Sequence, residues 1–232
     1  MTQETRPPGS RVPRQIIATL RPQTYGNIAP HKIRDPLVEP LWTGVRALAA
    51  VDRAGATIVD AAGDPVEGMD AIVESLAASA RADGLVLDGF LTKQTAHLGN
   101  GILWPDEMPS MGRLVGLRHN RAADTLTLKE KALESHSFGV DDEVSFVATD
   151  LLWLDDIELL DVPLLERRRL LGAVLLESDV VRLGAFVRPP IETWVSSWRT
   201  QGFAGLTYKA ANSRYLPGLP NPDWVIAGMP RR

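Results

Sequence analysis

The sequence predicts an α+β domain built from antiparallel sheets with flanking helices. Runs of residues typical of strands and of helices follow one another irregularly along its 232 residues, without the regular alternation of a doubly wound α/β sheet. Hydrophobic residues make up 44% of the chain and charged residues 23%, a composition typical of soluble globular proteins. No apolar run is long enough to cross a bilayer, and we expect a cytoplasmic protein.

Two parts are predicted along the chain, an irregular N-terminal arm over residues 1–30 and a single domain over residues 31–232. Prolines and glycines interrupt any periodic pattern through Pro36, so the segment from Gln15 to Pro36 is expected to be irregular. Beyond it, Val45–Val51 and Thr57–Asp60 flank a turn-forming segment and predict a β-hairpin.

The rest of the chain predicts a mixture of helices and strands. Met69–Arg81 has apolar residues at helical spacing, and Leu85–Leu91 predicts a buried strand interrupted at Asp88-Gly89. Residues 97–139 have no clear pattern apart from possible strands at Arg113–Leu117 and Thr125–Lys129. The remaining predicted elements are a strand at Val144–Leu154, a helix from Pro163 to Glu177, a strand at Val180–Val187, a helix at Ile191–Gln201, and strands at Gly205–Lys209 and Asp223–Ile226.

Composition and charge argue against several kinds of site. The chain has no cysteine, and its four histidines are isolated, so neither disulfides nor a zinc site is expected. A net charge of −4 provides no global basic field for a polyanion. Three consecutive arginines, Arg167, Arg168 and Arg169, fan out around a predicted helix, and a solvated face is the favoured interpretation.

Four stretches carry motifs in a fixed order along the chain. They are E-P-L-W-T-G-V-R-A-L-A at Glu39–Ala49, V-L-D-G-F-L at Val86–Leu91, the strand–turn–helix pattern at Asp150–Leu171, and the segment Gln201–Trp224 that contains G-L-T-Y-K and P-D-W. In this order and at this spacing they resemble the adenylation domain of ATP-dependent DNA ligases. The resemblance implies that family's nucleotidyltransferase fold, similar to ATP-grasp, over most of the chain.

The resemblance also implies a chemistry that this sequence has lost. In the family a lysine amine attacks the α-phosphate of ATP, while carboxylates hold a divalent metal. Leu41 occupies the position of that lysine, and a hydrocarbon side chain cannot form the phosphoramidate. Other motif residues are replaced by Thr43 (aspartate), Phe90 and Ala204 (glutamates), Thr149 (the aromatic that stacks on adenine), Ile226 and Gly228 (lysines), and Asp60-Ala61-Ala62 (serine–arginine–asparagine).

Three polar residues still match the family's motifs. Glu39 matches a residue that reads the adenine amino group, Arg46 matches an arginine near the ribose, and Lys209 matches the lysine after the E-G pair. They are interpreted either as a vestigial nucleotide pocket or as local ion pairs, and the second interpretation is favoured because most phosphate ligands are missing. No metal site and no cofactor are predicted, although the family uses ATP and magnesium.

Three hypotheses for function follow. The first is a catalytically degenerate homologue of the ligase adenylation domain, a non-catalytic binding or accessory protein linked to DNA repair. The second is a divergent ATP-dependent ligase or nucleotidyltransferase whose lysine has moved to Lys32, Lys93 or Lys209. The third is a structural or oligomerising subunit. A DNA repair protein is the expected partner, and any DNA binding is expected to be weak.

The sequence makes three further structural predictions. The chain ends at Arg232, shortly after the last predicted strand, so no C-terminal oligonucleotide-binding barrel is expected. Three tryptophans, Trp42, Trp153 and Trp224, are expected to pack in the core. Three residues at replaced motif positions, Leu41, Phe90 and Ile226, are expected to lie together with little exposure and to leave no cavity for a triphosphate.

Overall fold

The computed structural model describes residues 12–93 and 144–230. Within these ranges the chain forms two antiparallel sheets, a short two-stranded pairing and four α-helices. The possible strands predicted at 113–117 and 125–129 lie outside the described residues. None of the helices in the described ranges is long and apolar enough to cross a membrane.

The larger sheet is built around the predicted hairpin. Strand β3 (Val45–Asp52) pairs with β4 (Gly55–Asp60) on one side and with β5 (Gly84–Thr92) on the other. Next to β5 lies β6 (Ser145–Leu154), to which the short strands β7 (Ile157–Glu158) and β8 (Val181–Leu183) are added. Among the strands of this sheet that the structure describes, β8 alone is parallel to its neighbour. The predicted hairpin is therefore confirmed.

The smaller sheet brings together segments from the two ends of the chain. Its central strand is β9 (Gly205–Ala210), which lies between β2 (Pro36–Pro40) and β11 (Trp224–Gly228), and both pairings are antiparallel. Beside it, β1 (Thr24–Tyr25) pairs in parallel with β10 (Pro220–Asn221). Pairing of β2 with β9 joins distant parts of the chain, and the register aligns Val38 with Tyr208, 170 residues away.

Four helices flank the sheets. Helix α1 spans Pro13–Thr19, α2 spans Asp70–Ser79, α3 spans Leu164–Val174 and α4 spans Glu192–Thr200. Proline suits the start of α3 because the first helical N–H groups have no acceptor within the helix. The predicted helices at 69–81, 163–177 and 191–201 are confirmed with shorter ends.

Three predictions about the backbone are wrong. The segment from Gln15 to Pro36 is not irregular throughout, because α1 buries Ile16 and Ile17 in the core. Strand β5 continues through Asp88 and Gly89, and the irregularity lies only in its register with β6. The strand predicted over 180–187 is limited to the three residues of β8. Tertiary packing overrides the local signals in each case.

The solvated face predicted for the three consecutive arginines is also wrong for two of them. Arg167 is fully buried, and its guanidinium donates two 2.8 Å hydrogen bonds to the carboxylate of Asp150. Arg168 is buried against backbone carbonyl groups, whereas Arg169 is exposed and pairs with Glu166. Helix α3 therefore directs the charges of Arg167 and Arg168 into the interior, and Asp150 compensates the charge of Arg167.

The core confirms the prediction for the tryptophans. Trp42, Trp153 and Trp224 are all buried, and Trp224 packs in an apolar cluster with residues from α1, β2 and β3. A second cluster lies between the larger sheet and helices α2 and α3. A third contains Trp42 and joins β2, β5, β6 and α4. The smaller sheet therefore packs on one face of the larger sheet, and the two sheets share an interior.

Replacing Arg167 with methionine is expected to reduce the free energy of unfolding by about 3–5 kcal/mol, because Asp150 would remain buried without its partner. Urea denaturation monitored by tryptophan fluorescence measures this loss. The matched control is Arg169→Met on the same helix, whose exposed ion pair contributes less than about 1 kcal/mol. Equal losses in the two variants would contradict the assigned role of the buried pair.

Candidate functional site

The first polar pair of the candidate site joins two strands of the smaller sheet. Glu39 on β2 and Lys209 on β9 are both buried, and the lysine Nζ lies 2.6 Å from Glu39 Oε2. The same Nζ lies 4.2 Å from the ring centroid of Trp224, which faces Lys209 across the β9–β11 pairing. The ammonium is thus held by a carboxylate and an aromatic face. This geometry makes Lys209 part of the interior.

A second polar group crosses from the larger sheet to the C-terminal part of the chain. Arg46 on β3 donates two hydrogen bonds to Asp88 on β5, of which the Nε–Oδ1 contact is 2.6 Å. Tyr215 donates its hydroxyl proton to Asp88 Oδ2 at 2.7 Å, and the backbone N–H of Gln23 donates to the tyrosine oxygen at 3.2 Å. Asp88 therefore accepts from one cation and one phenol, and all three side chains are buried.

Burial and this shared carboxylate change the titration of two groups. Burial raises the pKa of Tyr215 well above its usual value, and the negative charge of Asp88 raises it further. Burial by itself would lower the pKa of Arg46, but the charge and hydrogen bonds of Asp88 together with Tyr25 and Tyr215 raise this pKa well above its usual value. Both shifts preserve the arrangement of guanidinium, carboxylate and neutral phenol.

Gln23 extends this second group toward the short pairing of β1 with β10. Its side-chain oxygen accepts hydrogen bonds from the amide of Asn221 at 2.9 Å and from the backbone N–H of Leu216 at 2.8 Å. The residues on either side of Tyr215 are thereby fixed to the segment that follows α1. The sequence analysis gave no role to Gln23, Tyr215 or Asn221, although Tyr215 lies within the matched segment Gln201–Trp224, because their contacts join distant parts of the chain.

The replaced motif positions divide between two apolar clusters. Leu41, Phe90 and Ile226 are 1%, 2% and 3% exposed. Leu41 and Ile226 pack in one cluster, which Ala204 also contacts. Phe90 lies in the adjoining cluster around Trp42, with the guanidinium of Arg46 4.6 Å from its ring centroid. The predicted low exposure of all three residues is confirmed. They do not form one cluster, however, because Phe90 belongs to a different cluster from Leu41 and Ile226.

The residues at the other replaced motif positions differ in burial and in their contacts. Thr149 is buried on β6 and its hydroxyl donates to the backbone carbonyl of Asp88 at 3.2 Å. Gly228 is exposed at the end of β11, and Thr43 is half-buried in the loop between β2 and β3. Asp60 ends β4 and caps a turn by accepting from the N–H groups of Ala62, Gly63 and Asp64. None of these four contributes a charge to the buried polar groups.

The side chains in this region do not fit a nucleotide with its magnesium ion. A magnesium site needs carboxylate or carbonyl oxygens, and a triphosphate needs several cations. The carboxylates of Glu39 and Asp88 already bind Lys209 and Arg46, while Leu41, Phe90 and Ile226 present hydrocarbon. Within residues 12–93 and 144–230, no group of three acidic or histidine side chains could hold a metal ion.

The fold defines the class of protein. Several solved DNA ligases superpose on the chain, among them the ligase domain of Mycobacterium tuberculosis LigD, at a TM-score of 0.61 and 23% identity. A mycobacterial DNA ligase D complexed with ATP and MES gives 0.59 and 24%. Both comparisons cover 91% of this chain and 60% of the other. The chain has the nucleotidyltransferase fold of the adenylation domain of ATP-dependent DNA ligases, and the predicted fold class is confirmed.

Sequence comparison leads to the same group of proteins. The chain is 26% identical over 202 residues to the multifunctional non-homologous end joining protein LigD of Mycolicibacterium smegmatis. The matched region is 87% of this chain and 22% of that protein, so the chain spans about a fifth of the length of this relative. No family model matches the sequence. The resemblance to ligase adenylation domains is therefore confirmed by both structure and sequence.

The raised pKa of Tyr215 predicts a loss of stability in alkali. An unfolded tyrosine ionises near pH 10, whereas the buried phenol beside Asp88 stays protonated, so its contribution is complete below about pH 10 and falls as pH rises. Tyr215→Phe should therefore show a shallower fall in unfolding free energy above that pH. Urea titrations between pH 8 and pH 11 measure the slopes, with Tyr208→Phe as the half-buried comparison. Identical slopes for wild type and Tyr215→Phe would contradict this assignment.

Proposed function

We propose that the protein is a catalytically degenerate homologue of the ligase adenylation domain that acts as a non-catalytic binding or accessory protein. The observation that carries this proposal is the state of position 41, which matches the nucleophilic lysine of the family. Leu41 is a buried hydrocarbon packed with Ile226 in the interior between the sheets. A side chain of this kind offers no electron pair for attack on a phosphate.

The surviving polar residues support the same proposal. Glu39 and Lys209 are paired with each other, and Arg46 is paired with Asp88. To bind a nucleotide, these groups would first have to break ion pairs that are buried on both sides. Removal of one partner from a buried pair is strongly unfavourable, because the other charge is left without compensation. The favoured interpretation is therefore that these residues stabilise the fold and, within the described ranges, leave the former nucleotide positions filled.

The alternative of a relocated lysine receives little support from the geometry. Lys209 is fully buried, and its Nζ contacts Glu39 and the ring of Trp224. Lys32 lies on the exposed surface in the short 3-10 turn Pro30–Lys32. Lys93 is exposed at the end of the described N-terminal range. Neither of these two is among the buried groups that surround Leu41.

A link to DNA repair rests on the similarity to LigD. That relative is described as a non-homologous end joining protein, and the chain corresponds to about a fifth of it. We infer a role beside proteins of this process, in the cytoplasm, with a DNA repair protein as the partner. Pull-down of a tagged chain after DNA damage, compared with a chain whose exposed Trp194 is replaced by serine, would identify such a partner and test whether α4 takes part.

The protein is expected not to form a covalent adduct with AMP. Incubation with ATP and either Mg²⁺ or Mn²⁺, followed by intact mass measurement, tests this directly. Leu41→Lys should also remain unmodified, because Phe90, Ala204 and Ile226 supply no metal ligand or phosphate cation. An increase in mass of one AMP that is abolished by Lys32→Arg, Lys93→Arg or Lys209→Arg would overturn the proposal in favour of a relocated nucleophile.

Binding to duplex DNA is expected to be weak and strongly dependent on salt. The net charge is −4, and five exposed arginines are each paired with a carboxylate, namely Arg14, Arg53, Arg169, Arg188 and Arg214. The dissociation constant should be no tighter than about 10⁻⁶ M near physiological salt, which is the usual non-specific range. Fluorescence anisotropy with nicked and intact duplexes measures it. Nanomolar binding to nicked DNA at that salt would contradict this expectation.

A further inference from the structure

The hairpin formed by the end of β6 and by β7 (residues 153–158) is an acidic, exposed edge of the larger sheet. Asp155 and Asp156 form its turn and Glu158 follows on β7, and all three residues are exposed. Strand β7 pairs with β6 on one side, and no strand of the described chain pairs with its other side. Because the outer side of an edge strand has backbone groups without a partner strand, this edge can receive a further segment.

The carboxylates of the β6–β7 hairpin differ in how the described chain uses them. Asp155 Oδ1 accepts the backbone N–H groups of Asp83 at 2.8 Å and of Gly84 at 3.2 Å, so this residue holds the turn against β5. Glu158 forms no ion pair within residues 12–93 and 144–230. Arginines of adjoining segments bind other carboxylates, namely Arg14 with Asp52, Arg53 with Asp83 and Arg214 with Asp161. The charge of Glu158 is therefore available to a cation from elsewhere.

Helix α1 brings the start of the described chain to this hairpin. A Cβ placed on Gly84 would lie 3.2 Å from Pro13 Cγ and 3.5 Å from the carbonyl oxygen of Asp155, so α1 begins beside the turn. The helix packs in the cluster that contains Trp153, which pairs directly with Glu158. Since directly paired residues of antiparallel strands share a face, Glu158 lies on the face of the sheet that α1 covers.

The segment that precedes α1, residues 1–11, has the charge and the reach to contact this edge. It contains Arg6 and Arg11 and a single acidic residue, Glu4. Strand β7 lies two strand spacings from β5, or about 10 Å, and two extended residues span about 7 Å. Arg11, two residues before the start of α1, can therefore reach the hairpin with its long side chain. The Pro7-Pro8 pair has no backbone N–H to donate to a sheet, so side-chain charge would supply the contact.

We propose that residues 1–11 dock on the α1 side of the β6–β7 hairpin, where Arg6 and Arg11 pair with Asp156 and Glu158. The occupant of this acidic edge is thus the N-terminal segment of the chain itself. Docking covers the outer side of β7, and it weakens at high salt because the paired charges lie at the surface. The contact involves neither position 41 nor the residues that match nucleotide-binding positions, so it can fail or succeed independently of the proposed loss of catalysis.

Backbone ¹⁵N relaxation of the full chain tests the docking, with the amides of Gly9 and Ser10 as reporters. Their order parameters should exceed about 0.6 in wild type and should fall below that value, as in flexible backbone, in a variant that combines Asp156→Lys and Glu158→Lys. A variant that combines Arg6→Glu and Arg11→Glu should show the same loss. All four substitutions together should restore the order, because opposite charges face each other again with their signs exchanged.

The matched control combines Glu67→Lys and Glu74→Lys, which makes the same change of net charge at two exposed positions. Glu74 lies on α2, which packs in the cluster on the opposite face of the larger sheet from α1. This control should leave the order parameters of Gly9 and Ser10 as they are in wild type. Low values in wild type, values that the lysine substitutions on the hairpin leave unchanged, an equal loss in the control, or no recovery with all four substitutions would each overturn the proposal.

Discussion

The ion pair between Arg46 and Asp88 is the contact on which most of the interior depends. Both groups lie on central strands of the larger sheet, where neither charge can be left without compensation. Asp88 also accepts the hydroxyl of Tyr215, which brings in the segment that leads to the smaller sheet. Gln23 then connects this segment with the chain after α1. One carboxylate thus joins strands, C-terminal loop and N-terminal segment.

The same constraint explains the remaining buried charges. Lys209 and Glu39 fasten two strands of the smaller sheet, and Arg167 and Asp150 fasten α3 to β6. Such pairs add little net stability compared with hydrocarbon of the same volume, but they are intolerant of a missing partner. They therefore specify how strands and helix are placed relative to one another. Arg168 is the exception, since its guanidinium donates to the backbone carbonyls of Ala148 and Gly184 and has no carboxylate partner in the described chain.

The resemblance to DNA ligases concerns the fold, whereas the geometry of the site concerns particular side chains. The arrangement of the strands preserves an architecture that solved ligases share. Chemistry depends on particular side chains, and a fold can outlast them. In this chain, the polar residues that match the family bind one another, and hydrocarbon fills the positions between them.

The sequence by itself determined the hairpin, three of the helices and the main strands, because these depend on the periodicity of neighbouring residues. It also determined the relation to ligase adenylation domains, since the order of motifs is a property of the chain. The low exposure of Leu41, Phe90 and Ile226 could also be predicted. Together with Ala204 they place four apolar residues at positions that are polar in the family, and such residues favour burial.

Only the tertiary structure decided which polar residues meet. The donor and acceptor of the Tyr215–Asp88 bond are 127 residues apart, and those of the Lys209–Glu39 bond are 170 apart. No local pattern distinguishes Arg167, which is buried, from Arg169, which is exposed. Helix α1 was not predicted because seven residues are too few for a helix that is stable alone, and packing on the sheet holds it in place. Burial of a charge is a property of its surroundings, and long-range pairing supplies those surroundings.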